Sequence, residues 1–316
     1  MASRAWVVSP GRTQVVPKAV YIDETLGRAT AAGQFSDLAD QYELISGRKV
    51  FHRPTRAYAL ERAALVGSSM YVRGHRMPLA PESGFRARDL LESTHVERGA
   101  LGCTYFGNMF FGHFWTDDVP LMQLGSELGE IVRTDRPPSR HQRELLELLD
   151  LKVRLASSLT FDELIVLDDC GQTEHKERRY RTIRRVFATK YERTDAPRGV
   201  FLFRGTSGSA RLLVNEREIA DALTPHGIVP VHPERLSLDE LNQAIWGARL
   251  IVGVEGSQML HGFYNAAEGA SFLTLNPPYR FSNILKSYTD CLGMSYGFVL
   301  GEPCEAGFRV RLDEVL

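Results

Sequence analysis

The sequence predicts an α/β protein whose last third is a doubly wound parallel sheet. Short apolar runs alternate there with amphipathic stretches at the pitch of strand–helix–strand units, and each amphipathic stretch carries its own start and stop signals. The first of the runs, "GVFLF" (199–203), is wholly apolar, as a strand covered on both faces is. "NEREIADALTPHG" follows as a helix, with Asn215 at the N-cap, acids in its first turn and Gly227 as the stop. "IVPV" (228–231) is the next strand. "SLDELNQAIWGA" opens with Ser237 and Glu240 in capping-box spacing and sets Leu238, Leu241, Ile245 and Trp246 on one helical face. "RLIVGV" is a strand, "SQMLHGFYNAAEG" a helix and "ASFLTL" a further strand. Ligands of such sheets sit beyond the carboxyl ends of the strands, where the turn after "LIVGV" lies.

The first half is less regular. "AYALERAALVGSSMYVRG" (57–74) reads as a strand pair around Gly67-Ser68-Ser69, and "GNMFFGHFWTDDVPLMQLG" (107–125) as an apolar run entering a helix. "SRHQRELLELLDLKV" is helical by its leucine spacing. "RTDRPPSRH" (133–141) is a loop, and "FDELIVLDD" (161–169) a strand ending in two acids. This is a second α/β domain, with a boundary near "ERTDAPRG" (192–199), so the expected domains are 1–195 and 196–316.

Bulk properties limit what the domains do. With 316 residues, 43% apolar and 24% charged, the chain suits a soluble protein of two domains, each burying its own core. A net charge of -1, from Lys+Arg 38 against Asp+Glu 39, argues against nucleic acid or an anionic membrane as the main partner. Cys103, Cys170, Cys291 and Cys304 show no Cys-x-x-Cys spacing, so neither a zinc site nor a redox pair is readable. The opening "MASRAWVVSPGRTQVVPKAVY" lacks the apolar core of a signal peptide, and no stretch approaches the ~20 apolar residues of a membrane helix. A cytoplasmic protein is expected; peripheral membrane association through a partner is compatible with that.

Four stretches carry candidate chemistry. In "FRGTSGSARLLVNERE", Arg204 ends a strand, a Gly/Ser turn follows, and Arg211 and Asn215 lie just beyond. Backbone N–H groups of a small-residue turn with a guanidinium fork can cradle phosphate oxygens, although the spacing is not that of a P-loop. The plain alternative is a surface loop with two arginines. In "VGVEGSQMLHG" (252–262), Gly253 and Gly256 let the backbone approach a ligand, and Ser257 and Gln258 open a helix whose positive end favours an anion. Glu255 would repel a phosphate, so it is read as an acceptor for sugar or ribose hydroxyls; the alternative is an exposed capping acid.

In "GHFWTDDVP", His113 and Asp117 are four residues apart, and such a pair orients an imidazole as a general base. A core histidine among aromatics is the alternative. The basic stretch "KERRYRTIRRVFATKYER" (176–193), eight Lys/Arg against two Glu, reads as a solvated helix, with an anionic acceptor as its other use.

Together these stretches resemble glycosyltransferase family 61. The family pattern of Arg, Arg with Asn-Glu, Gly-Phe, Pro-Glu, a Glu-Gln helix and Val-Gly-x-His-Gly-Ala is met by Arg204, Arg211, Asn215-Glu216, Gly227, Pro233-Glu234, Glu240 and Val252-Gly253. "GHFWTDDVPLM" resembles the family's upstream Gly-His-Trp stretch and sets His113 at its histidine. The departures are Glu255 for a common His, Ser257 for Ala, His261 for Asn and Leu121 for the arginine after proline. The resemblance implies a B-type glycosyltransferase: two Rossmann-like lobes facing across a cleft, with the acceptor on the N-terminal lobe and a nucleotide-sugar donor on the C-terminal one. It implies an inverting, metal-independent transfer to a hydroxyl of a glycan or other acceptor. His113 or Asp117 would be the base, and Arg204, Arg211, Asn215, Glu234, Glu255, Gly256 and Ser257 the donor site. No cofactor is expected beyond the donor. The lack of any Asp-x-Asp in the sequence points independently away from a metal. An inactive homologue that binds a glycan or a partner protein, and a metal-dependent A-type transferase, are the other classes.

Overall fold

The computed structural model describes residues 2–81, 93–155, 157–191, 195–205 and 211–316. The chain divides into two compact units, Met1–Thr13 with Phe51–Thr182, and Gln14–Val50 with Ile183–Leu316. Both are mixtures of helices and sheets with parallel strands.

The second unit is built on five parallel strands, β1 (Gly199–Leu202), β2 (Ile228–Val231), β3 (Leu250–Val254), β4 (Ser271–Asn276) and β5 (Ser295–Leu300), in the spatial order β2-β1-β3-β4-β5. The chain steps outward from β1 to β2, then returns past β1 to lay down β3. Strand order therefore reverses between β1 and β3, and at such a switch point the connections leaving the carboxyl ends part to opposite faces.

Helices cover both faces. Val252 and Val254 of β3 share a core with Ile219, Ala220 and Leu223 of the helix Glu216–Leu223, and with Phe308 and Val310. Ile251 and Gly253 point the other way: a Cβ on Gly262 would meet Ile251, and one on Gly253 would meet the sulfur of Met259. On that face the helices Leu238–Ile245 and His261–Asn265 are joined by a hydrogen bond from Asn265 Nδ2 to Asn242 Oδ1 (2.8 Å).

The local signals hold to different degrees. The capping box forms: Glu240 N donates to Ser237 Oγ at 3.2 Å, and Ser237 N donates to Glu240 Oε2 at 2.8 Å. Gly227, at φ +82°, takes the left-handed turn that ends the helical segment. Trp246 lies one residue past its helix rather than on the buried face. Asn215 holds the N-cap position, but its side chain does not cap. Its Nδ2 donates to Val310 O (2.8 Å) and its Oδ1 accepts from Val310 N (3.2 Å), clamping the C-terminal segment instead. The helix expected after β3 is a 3₁₀ turn, Ser257–Leu260, followed by five α-helical residues, His261–Asn265. An element this short builds little axial dipole, so any anion here must be held by side chains and single amides.

Residues 14–50 join this unit through pairings that no local pattern announces. Val20 N donates to Tyr296 O (2.9 Å) and Phe298 N donates to Val20 O (3.0 Å) along the edge of β5, and Ala32 bridges Phe281.

Among the described residues, the first unit holds a mixed sheet of nine strands around the long strand Ser158–Asp168. On one side Thr94–Leu101, Glu130–Arg133 and Arg154–Leu155 run parallel to it in turn. On the other side each pairing is antiparallel: Thr55–Glu61 lies along its later half and pairs in turn with Arg4–Ser9, while Ala64–Val66 lies beside its start and leads through Ser69–Val72 to His75–Pro78. The expected strand pair is the hairpin at Gly67, whose φ of +54° makes the turn. Leu65, Met70, Val96, Leu101, Val132, Leu159, Phe161 and Leu164 form the core.

The basic helix Glu174–Lys190 corrects the sequence reading, which had it solvated. Lys176 is 1% exposed, Arg179 7% and Tyr180 is fully buried. Cations are tolerated there because buried carboxylates accompany them. Among the described residues, no helix is long and apolar enough to cross a membrane.

Candidate functional site

Two groups of side chains stand out, one in each unit. In the second unit the group sits at the carboxyl ends of β1 and β3, on the switch point. Gly256, directly after the β3 exit, has φ +155°, a region that residues with a Cβ rarely enter. A Cβ there would collide with Arg204 Nη1 and Gln258 Oε1 and come within 2.8 Å of Arg211 Nη1. Two guanidinium groups therefore converge on the face of one glycine.

Each is held by identifiable partners. Arg204 Nη1 donates to Gln258 Oε1 (2.9 Å), while Gln258 Nε2 donates to the Val254 carbonyl. The backbone N of Arg204 donates to Glu216 Oε1 (2.8 Å), which fixes the exit from β1. Arg211 Nη1 donates to the Glu255 carbonyl (2.7 Å) and lies 2.9 Å from Glu255 Oε2. Glu255 is 8% exposed, which removes the reading of it as an exposed capping acid. Among the described residues, Arg211 Nε and Glu255 Oε2 are buried without a hydrogen bond. An unmet donor and an unmet acceptor on these two residues are compatible with a ligand that supplies both kinds of group.

The electrostatics run the same way. Burial lowers the pKa of Arg211, and the charges of Arg204 and Arg280 add to that against the pull of Glu255, leaving it at about 10. Burial lowers Arg204 as well, with Arg280 again contributing. Arg280 ends the 3₁₀ turn Pro278–Arg280 just beyond β4, and its Nε is likewise buried without a hydrogen bond among the described residues. Sequence reasoning missed Arg280. The signal available was its place directly after the strand "ASFLTL", at the same sheet edge as Glu255.

The remaining candidates are disposed as follows. Glu234 lies in the turn Pro233–Arg235 after β2, with its carboxylate against Gly205, the neighbour of Arg204. Ser257, partly exposed, begins the 3₁₀ turn. Asn215 is engaged with Val310, as described above. The Gly/Ser turn at 206–210, read as a phosphate cradle, lies outside the described residues.

In the first unit, His113 and Asp117 meet across a π-helical turn, Phe114–Asp118, of the kind that frequently marks functional sites. His113 Nδ1 is 2.7 Å from Asp117 Oδ2, and Asp117 Oδ1 accepts from Lys176 Nζ at 3.0 Å. His113 is 27% exposed at its side chain and flanked by the rings of Phe106 and Phe110, so it is neither sealed in the core nor loose on the surface. Burial works against ionisation of Asp117, but the charge of Lys176 and the hydrogen bond from His113 outweigh it, holding the carboxyl down to about 2. Asp118 points elsewhere. It accepts from Arg133 Nη1 (2.7 Å) and from the N and Oγ1 of Thr104 (2.8 and 2.9 Å), and burial pushes its carboxyl up. Among the described residues, no group of three or more His, Cys, Asp or Glu is disposed to hold a metal ion.

The sequence pattern of the family described as Glycosyltransferase 61 matches residues 111–273, a little over half of the chain. The chain belongs to glycosyltransferase family 61. In this family 61 chain the matched span takes in every candidate named from the sequence, from His113 to Ser257, and stops short of Arg280. No curated protein sequence matches significantly. Among solved structures, a metal-soaked flavodiiron core from Synechocystis is similar at 11% identity over 79% of this chain and 60% of that one, with a TM-score of 0.25. The chain thus spans less than two thirds of that protein, and a likeness so weak carries no structural argument.

Proposed function

We propose that this family member is an inverting, metal-independent glycosyltransferase that moves a sugar from a nucleotide-sugar donor to a hydroxyl of a glycan or other acceptor. The observation that carries this reading is the convergence of Arg204 and Arg211 on Gly256 at the switch point of the parallel sheet. Two guanidinium groups with lowered pKa values share the one carboxylate of Glu255, so a further anion stabilises them, and a diphosphate supplies it. As the glycosidic bond to the donor phosphate breaks, charge grows on the departing diphosphate, and donors already in place stabilise it without reorganising. The open acceptor on Glu255 suits a donor hydroxyl.

His113 is the proposed base. Asp117 is too acidic to take a proton near neutral pH, so it acts by fixing the imidazole with N–H on Nδ1 and a lone pair on Nε2. The proton leaves the acceptor hydroxyl for Nε2, the oxygen attacks the anomeric carbon, and the diphosphonucleoside departs from the opposite side. In this reading the chain has the B-type architecture: the second unit is the donor lobe and the first the acceptor lobe, acting in the cytoplasm.

The test is a panel of nucleotide sugars scored for thermal stabilisation, then for donor hydrolysis with and without chelator. A ligand at a hundred times its Kd adds about 2.7 kcal/mol of stability, which a melting curve resolves. Failure of every nucleotide sugar and every free nucleoside diphosphate to stabilise the protein would remove the donor site; loss of hydrolysis with chelator would remove metal independence.

A further inference from the structure

Asp117 is ionised and touches His113, an arrangement that by itself raises the basicity of an imidazole and stores a proton on it. The structure sets a cation on the far side of that carboxylate. Lys176 enters on the first turn of the helix Glu174–Lys190, with its side chain 1% exposed. Its Nζ donates to Asp117 Oδ1 (3.0 Å) and to the carbonyl of Asp169 (3.0 Å), and stands 4.0 Å from Asp169 Oδ2. Asp169 is itself consumed: Arg179 grips both its oxygens (2.8 and 2.9 Å), and Thr55 Oγ1 donates to Oδ1 (2.7 Å). The result is a buried row of alternating charge, Arg179–Asp169–Lys176–Asp117, ending on His113.

We propose that Lys176 is a positioning residue that acts through Asp117, aiming the carboxylate at His113 Nδ1 while cancelling enough of its charge to leave the imidazole neutral and able to accept a proton. The role rests on the reading of His113 as the base. A carboxylate with no counter-cation would favour imidazolium, which has no lone pair for an acceptor hydroxyl. A carboxylate bonded to Lys176 still fixes the ring and its tautomer, with a smaller pull on its proton.

Among the described residues, several groups face this row. From the end of the long strand come Asp169 and Cys170; Arg179 lies on the same helix as Lys176, and His52 approaches from the first half of the unit. Burial lowers the Lys176 ammonium pKa, but Asp117 and Asp169 raise it by more, so it stays charged in the pH range where an imidazole titrates.

The test follows His113 directly, by NMR titration of histidine-labelled protein, beside the pH profile of kcat/KM for transfer, in wild type, Lys176→Gln, Lys176→Met and Lys176→Arg. Removal of the charge in Lys176→Gln and Lys176→Met is expected to raise both the His113 midpoint and the acid limb of the profile by about one pH unit, the low end for loss of a nearby charge. Lys176→Arg keeps the charge and is expected to leave both in place. Lys176→Gln retains a hydrogen-bond donor for Asp117, so it keeps the question answerable should Lys176→Met not fold. An unmoved His113 midpoint in folded Lys176→Gln overturns the role of Lys176, whatever the activity. His113→Gln tests the underlying reading separately: full turnover there overturns the base assignment, and with it a part for Lys176 in the reaction.

Discussion

Arg204 and Arg211 share a single backbone acceptor, the carbonyl of Glu255, at 3.4 and 2.7 Å. Two like charges on one oxygen repel each other. The arrangement makes sense as one half of an anion site. Side chains that lose charge-assisted bonds to water on burial regain them from phosphate oxygens.

The first expectation is therefore for Arg204→Ala. Loss of one donor to the leaving group should lower kcat by on the order of 10²–10³-fold. The variant should stay folded at a lowered Tm, since the bonds its side chain gives up include those to Gln258 and Glu255, worth roughly 1.5–3 kcal/mol each. Single-turnover kinetics with a circular dichroism melt on the same sample decides it; near wild-type turnover in the folded variant rules out the assignment.

Gly256→Ala should fail in a different and more informative way. The new methyl group collides with Arg204 Nη1 and the backbone is held at φ +155°, so both a steric and a conformational cost apply. The conformational part alone is about 1–3 kcal/mol. In the Arg204→Ala background the collision with Arg204 disappears, while the contacts with Gln258 Oε1 and Arg211 Nη1 remain. The Gly256→Ala cost measured by urea denaturation should then fall by roughly 1 kcal/mol or more, the size expected for residues in contact. Strict additivity of the two substitutions would mean that the arginine does not lie over the glycine.

How far this site could be read from the sequence depends on the range of the interaction. The capping box of Ser237 and Glu240 and the strand Ile228–Val231 are local, and both appear as expected. Arg204, Arg211 and Glu255 were legible because strand ends in a doubly wound sheet gather at one edge by topology alone. Asn215 was read as a cap because Asn before a helix usually is one. Its tie to Val310 is made across 95 residues, beyond any local pattern. Lys176 was hidden by composition: a run of eight cations looks solvated, and only the tertiary structure shows that one of them faces Asp117. The pairing of Val20 with β5 was invisible for the same reason.

Acid should act on the first unit through Asp117. Its carboxyl titrates at about 2 in the folded chain against an ordinary 3.8, so the unfolded state binds the proton more tightly. The stabilisation is complete above the ordinary value and is lost as pH falls from about 4 toward 2. With ~1.4 kcal/mol per pKa unit, it amounts to roughly 2.5 kcal/mol. Asp117→Asn should lose at least that much at pH 7, because it also strands the buried Lys176 ammonium, and its stability should be flatter than wild type across that acid window. Guanidinium unfolding at several pH values gives both numbers, and a parallel pair of curves would refute the linkage.

Glu255→Gln separates a carboxylate that serves the protein from one that serves the ligand. Glu255 Oε2 lies 2.9 Å from Arg211 Nη1 outside hydrogen-bonding geometry, while the same nitrogen donates to the Glu255 carbonyl, so the carboxylate is paired there by charge. The amide keeps the shape and one acceptor but gives up the charge. Without ligand, the variant should be less stable, because Arg211 loses the group that most favours its charged form. Toward a free nucleoside diphosphate its affinity should be unchanged or higher, since a negative charge next to the phosphates has been removed. Toward the intact nucleotide sugar it should bind more weakly by about 1–2 kcal/mol, the difference between charged and neutral acceptors for a donor hydroxyl. Calorimetric titration of both ligands into both proteins reads the two effects apart. Equal weakening for both ligands would move the contact to the ribose. Unchanged affinity for the intact donor with lowered stability would confine Glu255 to holding Arg211 in place.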